Sequence, residues 1–402
     1  LSLFGIAKKR FYIGNSACSI CRAMRKNKII FNEAIGDEGI KAFEAVLTKY
    51  PTVAFELYNF DKVCSININE KSKRHFTSQS IPFEQVKHVT DAPRPWTKVM
   101  IAAHRGGADN NPENTLLAYR AAVNEYKVDI LESDLYLTKD GYLVYNHDSY
   151  VDETCNINGD ISLDEVEELC DDSKNRHYIK DLTLAELEQY NFGYYFTDEN
   201  GNRPYKDKTI DECKSLGLQI ATVDKLFEEF YTSNPDLLFI VEIKNSGDLG
   251  YQAAKILNDT LNKYPNYRDQ IVIGTFHDEI EAELKAKYSD LMRGAPTGTA
   301  AKFVLTQKLG VNIFDNSDFA CLQVPTSYDL GITINLDKKA LIKQAHRRNI
   351  AVQYWTINDA DEMRELIELG CDCIMTDNPK EYNKYSSNSL FLSRTNIRRI
   401  TF

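Results

Sequence analysis

Short apolar runs alternate with segments of helical spacing through most of the chain. Val99–Ala103 is a continuous apolar run, and Asn114–Glu125 follows with apolar positions at helical intervals. Ile130–Leu137 and Tyr142–Asn146 read as two further strands. Leu237–Ile243 is an apolar run broken only by Glu242 and leads into the helical Leu249–Leu261. Ile271–Phe276 precedes a charged helix at Glu279–Lys287, and Cys321–Val324 is a short strand stopped by Pro325. Leu336–Asn349 reads as helix, Ile350–Thr356 as strand, Asp359–Leu369 as helix and Cys373–Met375 as strand. Such alternation predicts parallel strands covered by helices. Seven or eight units in roughly 285 residues predict an α/β fold of the (β/α)8 TIM-barrel type rather than an open doubly wound sheet.

Two features interrupt the rhythm. Asp91–Trp96 carries two prolines in three residues, which breaks a helix or a central strand. This divides the chain into a small α+β accessory domain over 1–95, a barrel over 96–385 and a tail over 386–402. Ser149–Asn234 is too long for a βα loop. It is polar, rich in Asp, Asn and Tyr, with helical pieces at Leu163–Leu169 and Leu184–Tyr190. It reads as a subdomain inserted after the third strand, over about 149–234.

Composition narrows the function classes. The 402 residues are 43% hydrophobic and carry 48 Lys+Arg against 59 Asp+Glu, a formal charge of −11. An acidic chain is a poor non-specific binder of nucleic acid or anionic membrane. No apolar run reaches the roughly 18 residues of a membrane-spanning helix. Seven Lys/Arg fall in the first 30 residues without an acidic one, and read as a solvated basic face. Nine cysteines are scattered through the chain. Cys18 and Cys21 form a C-x-x-C without a second pair at zinc-site spacing, and Cys371 and Cys373 form a C-x-C. Free thiols, and with them a reducing, cytoplasmic compartment, are the expectation.

Barrel enzymes carry their reacting groups at the C-terminal ends of the strands. Titratable residues recur at those positions here: His104-Arg105-Gly106, Glu132-Ser133-Asp134, Asn146-His147-Asp148 and Glu242-Ile243-Lys244, with Trp355-Thr356 after a late strand. Alternation puts Glu132 and Asp134 on one strand face. Two uncompensated carboxylates in a barrel interior are costly. A divalent cation removes that cost, and hard oxygen ligands suit Mg²⁺ or Ca²⁺. Glu242 adds a third carboxylate, and Lys244 opposes them or binds an anionic substrate. With Arg105 as a bidentate grip on phosphate and His104 and His147 as proton carriers, the set fits metal-assisted phosphoryl chemistry.

The same residues match a family pattern. His104-Arg105-Gly106, five residues, then Pro112-Glu113-Asn114-Thr115 resembles the opening signature of the glycerophosphodiester phosphodiesterases. Glu132-x-Asp134, Thr138-Lys139-Asp140-Gly141, His147-Asp148, Glu242-x-Lys244, Trp355-Thr356-Ile357-Asn358 and Thr376-Asp377-Asn378-Pro379 follow in the family's order, over about Lys98–Tyr385. The resemblance implies a TIM barrel with an insertion after the third strand. It also implies hydrolysis of a small-molecule glycerophosphodiester to sn-glycerol 3-phosphate and an alcohol, with one divalent cation, Mg²⁺ or Ca²⁺.

By that resemblance Glu132, Asp134 and Glu242 are metal ligands and His104 and His147 the acid–base pair. Arg105 and Lys244 hold phosphate, Glu113 lies near the metal and the glycerol hydroxyls, and Trp355 walls the glycerol backbone. After His147 the family has a basic residue and paired threonines where this chain has Asp152-Glu153-Thr154-Cys155, so the leaving-group contacts stay open. Phe55-Glu56-Leu57-Tyr58, Ile81-Pro82-Phe83-Glu84 and Pro95-Trp96-Thr97-Lys98-Val99 resemble the cap region of Cof-type haloacid-dehalogenase-like phosphatases, without their nucleophilic Asp motif. A lipid-directed, lysophospholipase D-like or phospholipase-type activity and a catalytically inactive binding barrel are the alternatives.

Overall fold

The strongest apolar runs all form strands. The computed structural model describes residues 29–30, 57–58 and 99–386, apart from 236, 309–318, 330–332 and 347–349. The N-terminal strands β1 (Ile29–Ile30) and β2 (Leu57–Tyr58) pair in parallel. The rest of the expected accessory domain, including Cys18 and Cys21, and the tail beyond residue 386 lie outside the described residues. The later strands are β3 (Met100–Ala103), β4 (Ile130–Leu137), β5 (Leu143–Tyr145), β6 (Leu238–Ile243), β7 (Ile271–Gly274) and β8 (Met292–Arg293). They continue with β9 (Cys321–Val324), β10 (Ser327–Asp329), β11 (Thr333–Asn335), β12 (Ala351–Tyr354) and β13 (Cys373–Thr376). The hydrogen-bonded order is β8-β7-β6-β4-β3-β13-β12-β9, eight strands in a (β/α)8 succession.

Two compact units divide the chain. The larger runs from Met100 to Thr297 and takes in Trp355–Glu365 and the residues from Ile374. In it β3–β4, β4–β6, β6–β7 and β7–β8 all pair in parallel. Residues of β4 alternate between two covered faces, and all but Tyr136 are buried, as expected for a parallel strand packed on both sides. The helix Gly247–Lys263 buries Ala253, Ala254, Leu257 and Leu261, spaced three and four apart. Phe227, Phe239 and Tyr267 form an aromatic knot with ring centroids 4.7–5.2 Å apart. In the smaller unit β9 and β12 pair in parallel, and β10–β11 is a hairpin. There Asp372 Oδ2 accepts the Val352 backbone N–H at 2.8 Å.

One strand departs from the expected pattern. Tyr142–Asn146 forms β5, which is the third strand of the barrel region in chain order, but it pairs antiparallel with β4 and stands off the eight-strand order. The Thr138–Gly141 turn makes this possible, because Gly141 takes a φ of 87°. His147 therefore follows a hairpin strand and not a parallel one. The insertion begins directly after it and packs back on it. Val144 of β5 joins Val151, Cys155, Ile179, Leu187, Phe192 and Ile220 in one buried cluster. Ser162, Thr183 and Thr209 each start a helix of the insertion with a reciprocal capping box.

The buried Asp152 carboxylate accepts from the His177 backbone at 2.8 Å, the His177 ring at 2.7 Å and Asn158 at 3.0 Å. It ties the insertion together, so this departure from the family pattern is a structural clasp. The six cysteines among the described residues are buried. No helix among the described residues is long and apolar enough to cross a membrane.

Candidate active site

The carboxylates gather because of register. Asp134 of β4 lies opposite Glu242 of β6, and Glu132 sits two residues back on the same face as Asp134. Glu132 and Asp134 are 4% and 2% exposed, too buried to be left without compensation. Two basic side chains supply it. Lys244 Nζ lies 3.2 Å from both Asp134 Oδ1 and Glu242 Oε1. Arg105 Nε lies 3.6 Å from Asp134 Oδ2, its Nη1 donates to Glu113 Oε2 at 2.9 Å, and its backbone N–H donates to Glu132 Oε2 at 3.0 Å. Seven of the nine expected residues thus form one connected network, with His104 Nε2 3.9 Å from Glu132 Oε2.

Charge states follow from burial and neighbours. Burial, with the Asp134 charge beside it, pushes the Glu132 carboxyl up to about 7. Burial also raises Glu242, more than Lys244 lowers it. Burial would lower His104, but Glu132 and the hydrogen bond to Asp377 outweigh it and raise the ring. Lys244 is raised likewise, its two carboxylates overriding desolvation.

His147 projects from the loop after β5. Its Nδ1 lies 3.2 Å from Asp148 Oδ1. Trp355 follows β12 directly, half-buried, and makes no hydrogen bond with the charged network. It heads the segment whose Asn358 reaches Asp377 at 2.9 Å. Asp377 and Asn358 belong to the Thr376-Asp377-Asn378-Pro379 and Trp355-Thr356-Ile357-Asn358 segments, whose spacing alone gives them no role. His104 Nδ1 meets Asp377 Oδ1 at 2.6 Å across 273 residues of chain, a pairing that local spacing does not reveal.

The turn after β3 is built for close approach. Arg105 takes φ 52°, Gly106 φ 84° and Gly107 φ 94°. A Cβ on Gly106 would stand 2.9 Å from the Ala118 Cβ. Gly106→Ala is expected to lose roughly 2–4 kcal/mol of stability through a left-handed alanine and an overpacked contact. Urea denaturation measures it, and a loss under about 0.5 kcal/mol would show that the turn can relax.

An α/β barrel that carries carboxylates, basic side chains and two histidines at its strand ends and in the adjoining loops has the make-up of a hydrolase acting on an anionic ester. The chain belongs to the glycerophosphoryl diester phosphodiesterase family, whose pattern matches residues 104–381. It is therefore an enzyme of a phosphoric diester hydrolase family. A glycerophosphodiester phosphodiesterase of Caldanaerobacter subterraneus subsp. tengcongensis is 25% identical over 283 residues, 70% of this chain and 96% of that protein. Human lysophospholipase D GDPD1 is 24% identical over 361 residues, 85% of this chain and 92% of that protein.

Among solved structures, the glycerophosphoryl diester phosphodiesterase domain of a Mycobacterium tuberculosis protein superimposes with a TM-score of 0.56 at 17% identity. It covers 72% of this chain and 99% of that domain. An Oleispira antarctica phosphodiesterase in complex with sn-glycerol-3-phosphate gives 0.50 at 18% identity over 72% of this chain and 97% of that one. These likenesses establish the TIM-barrel fold.

Proposed function

We propose that the protein hydrolyses small glycerophosphodiesters to sn-glycerol 3-phosphate and an alcohol, using one divalent cation, Mg²⁺ or Ca²⁺, and two histidines. The observation that carries this reading is the trio Glu132, Asp134 and Glu242 meeting Arg105 and Lys244 beside His104. The donor set fits a hard cation. Asp134 Oδ2 and Glu242 Oε1 are buried without a hydrogen-bond donor aligned on them. Among the described residues no three His, Cys, Asp or Glu side chains already stand at coordination distance. Lys244 and Arg105 occupy the carboxylates instead.

Glu132, Asp134 and Glu242 would hold the cation, and its bound charge would neutralise the phosphoryl oxygens. Arg105 and Lys244 are then the phosphate grips, with Glu113 fixing the Arg105 guanidinium. His104 and His147 move the two protons: one leaves the nucleophile and one reaches the departing alkoxide. Trp355 walls the glycerol backbone. The Oleispira enzyme named with sn-glycerol-3-phosphate supports this product. An inactive barrel is disfavoured because every expected acid–base and carboxylate residue is present.

Phe276 favours a substrate with an acylated glycerol, as in a lysophospholipase D-like reaction, as the second reading. It follows β7, is 58% exposed, and its ring lies 6.0 Å from Lys244 Nζ. A panel of glycerophosphocholine, glycerophosphoethanolamine, glycerophosphoglycerol and lysophosphatidylcholine, scored by release of the alcohol (choline, ethanolamine or glycerol), tests both. The small diesters are expected to turn over with higher kcat/KM. Turnover of lysophosphatidylcholine alone, with release of choline, would replace the first reading by the second.

A further inference from the structure

We propose that Asp377 is the positioning residue that sets the tautomer and orientation of His104, and that Asn358 locks Asp377 in place. The inference rests on the two-histidine reading and adds residues from the far end of the fold. His104 Nδ1 lies 2.6 Å from Asp377 Oδ1. An ionised carboxylate only accepts, and the His104 hydrogen bond together with the His104 charge holds Asp377 below the usual carboxylate range against the opposing pull of burial. Nδ1 therefore carries the hydrogen. In the neutral ring Nε2 is left with its lone pair, facing Glu132 Oε2 at 3.9 Å, where the reacting atoms would lie.

Asp377 itself has little freedom. Its Oδ2 accepts from Asn358 Nδ2 at 2.9 Å. Asn358 cannot turn its amide over, because its Oδ1 already accepts the Asp377 backbone N–H at 2.9 Å and the Thr376 hydroxyl at 3.0 Å. The Asp377 carbonyl accepts the Asp109 N–H at 3.0 Å. The loop after β13 is thus stapled to the turn after β3, with the imidazole between them.

This arrangement gives Asp377→Asn a defined outcome. The new amide must turn its oxygen to Asn358 Nδ2, so its NH₂ faces His104 Nδ1. A donor at Nδ1 forces the hydrogen onto Nε2 and removes the lone pair from the reacting side. The expected result is a fall in kcat of roughly 10²–10⁴-fold on glycerophosphocholine, with KM changed less than about threefold. Asn358→Ala, which loosens the carboxylate and leaves its charge, should lower kcat by roughly tenfold.

Selective ¹⁵N-histidine labelling reads the tautomer without turnover. The His104 resonances, assigned by their loss in His104→Ala, should report Nδ1–H in the unsubstituted protein and Nε2–H in Asp377→Asn. A neutral Nε2–H ring in the unsubstituted protein overturns the inference, and needs no variant to fold. So does an Asp377→Asn enzyme within threefold of full kcat while His104→Ala is inactive. Full activity in His104→Ala, with the Nδ1–H signature present in the unsubstituted protein, would instead sink the two-histidine mechanism and leave the tautomer assignment standing.

Discussion

Protein dialysed against EDTA is expected to lose hydrolysis of glycerophosphocholine by at least roughly 10²-fold, and Mg²⁺ or Ca²⁺ should restore it. The reason lies in the charge balance of the site. Glu132, Asp134 and Glu242 face Lys244 and Arg105, and in the described conformation the two cations are spent on the carboxylates. Phosphate can claim those side chains only if another positive charge takes over the carboxylates. Glu132→Gln should weaken that takeover, raising the cation concentration needed for half-maximal rate as well as lowering kcat. Isothermal titration with Mg²⁺ and with Ca²⁺ reads the first effect without turnover. Full activity in chelated, dialysed enzyme would remove the cation from the mechanism.

His104→Ala and His147→Ala are expected to lower kcat by about 10²–10⁴-fold each, with cation binding retained in both. The double variant should fall far short of the product of the two losses, because the histidines serve one reaction coordinate. A diester with a p-nitrophenol leaving group needs no proton on departure. It should rescue only the variant that has lost the general acid, and this assigns the roles. A drop of less than tenfold in either folded single variant takes that histidine out of the chemistry.

Much of this site was legible before any coordinates. The strands with long apolar runs, such as Leu238–Ile243, were visible because burial on both faces leaves Glu242 as the single polar residue in it. Met292–Arg293 was not, since two residues show no period. The hairpin at 327–335 escaped for a similar reason: its strands are three residues each, and Pro325 reads as a stop. The antiparallel sense of Leu143–Tyr145 did have a signal. Asp140-Gly141 between two alternating segments is a hairpin turn sequence.

Within the candidate site, the grouping of the carboxylates is readable in the sequence because their spacing on a strand has a face. Asp377 and Asn358 were seen only as motif letters. Their partner stands at the other end of the fold, and separation of that kind leaves no periodic trace.

The staple between the turn after β3 and the loop after β13 also bears on how the protein is made. His104 leaves the ribosome 273 residues ahead of Asp377. From Glu242 onward the nascent chain carries both histidines and all three carboxylates, yet the carboxylate proposed to hold the hydrogen on His104 Nδ1 is absent until Asp377 is added. On this reading a chain terminated before Asp377 is expected to fall in kcat at least as far as Asp377→Asn.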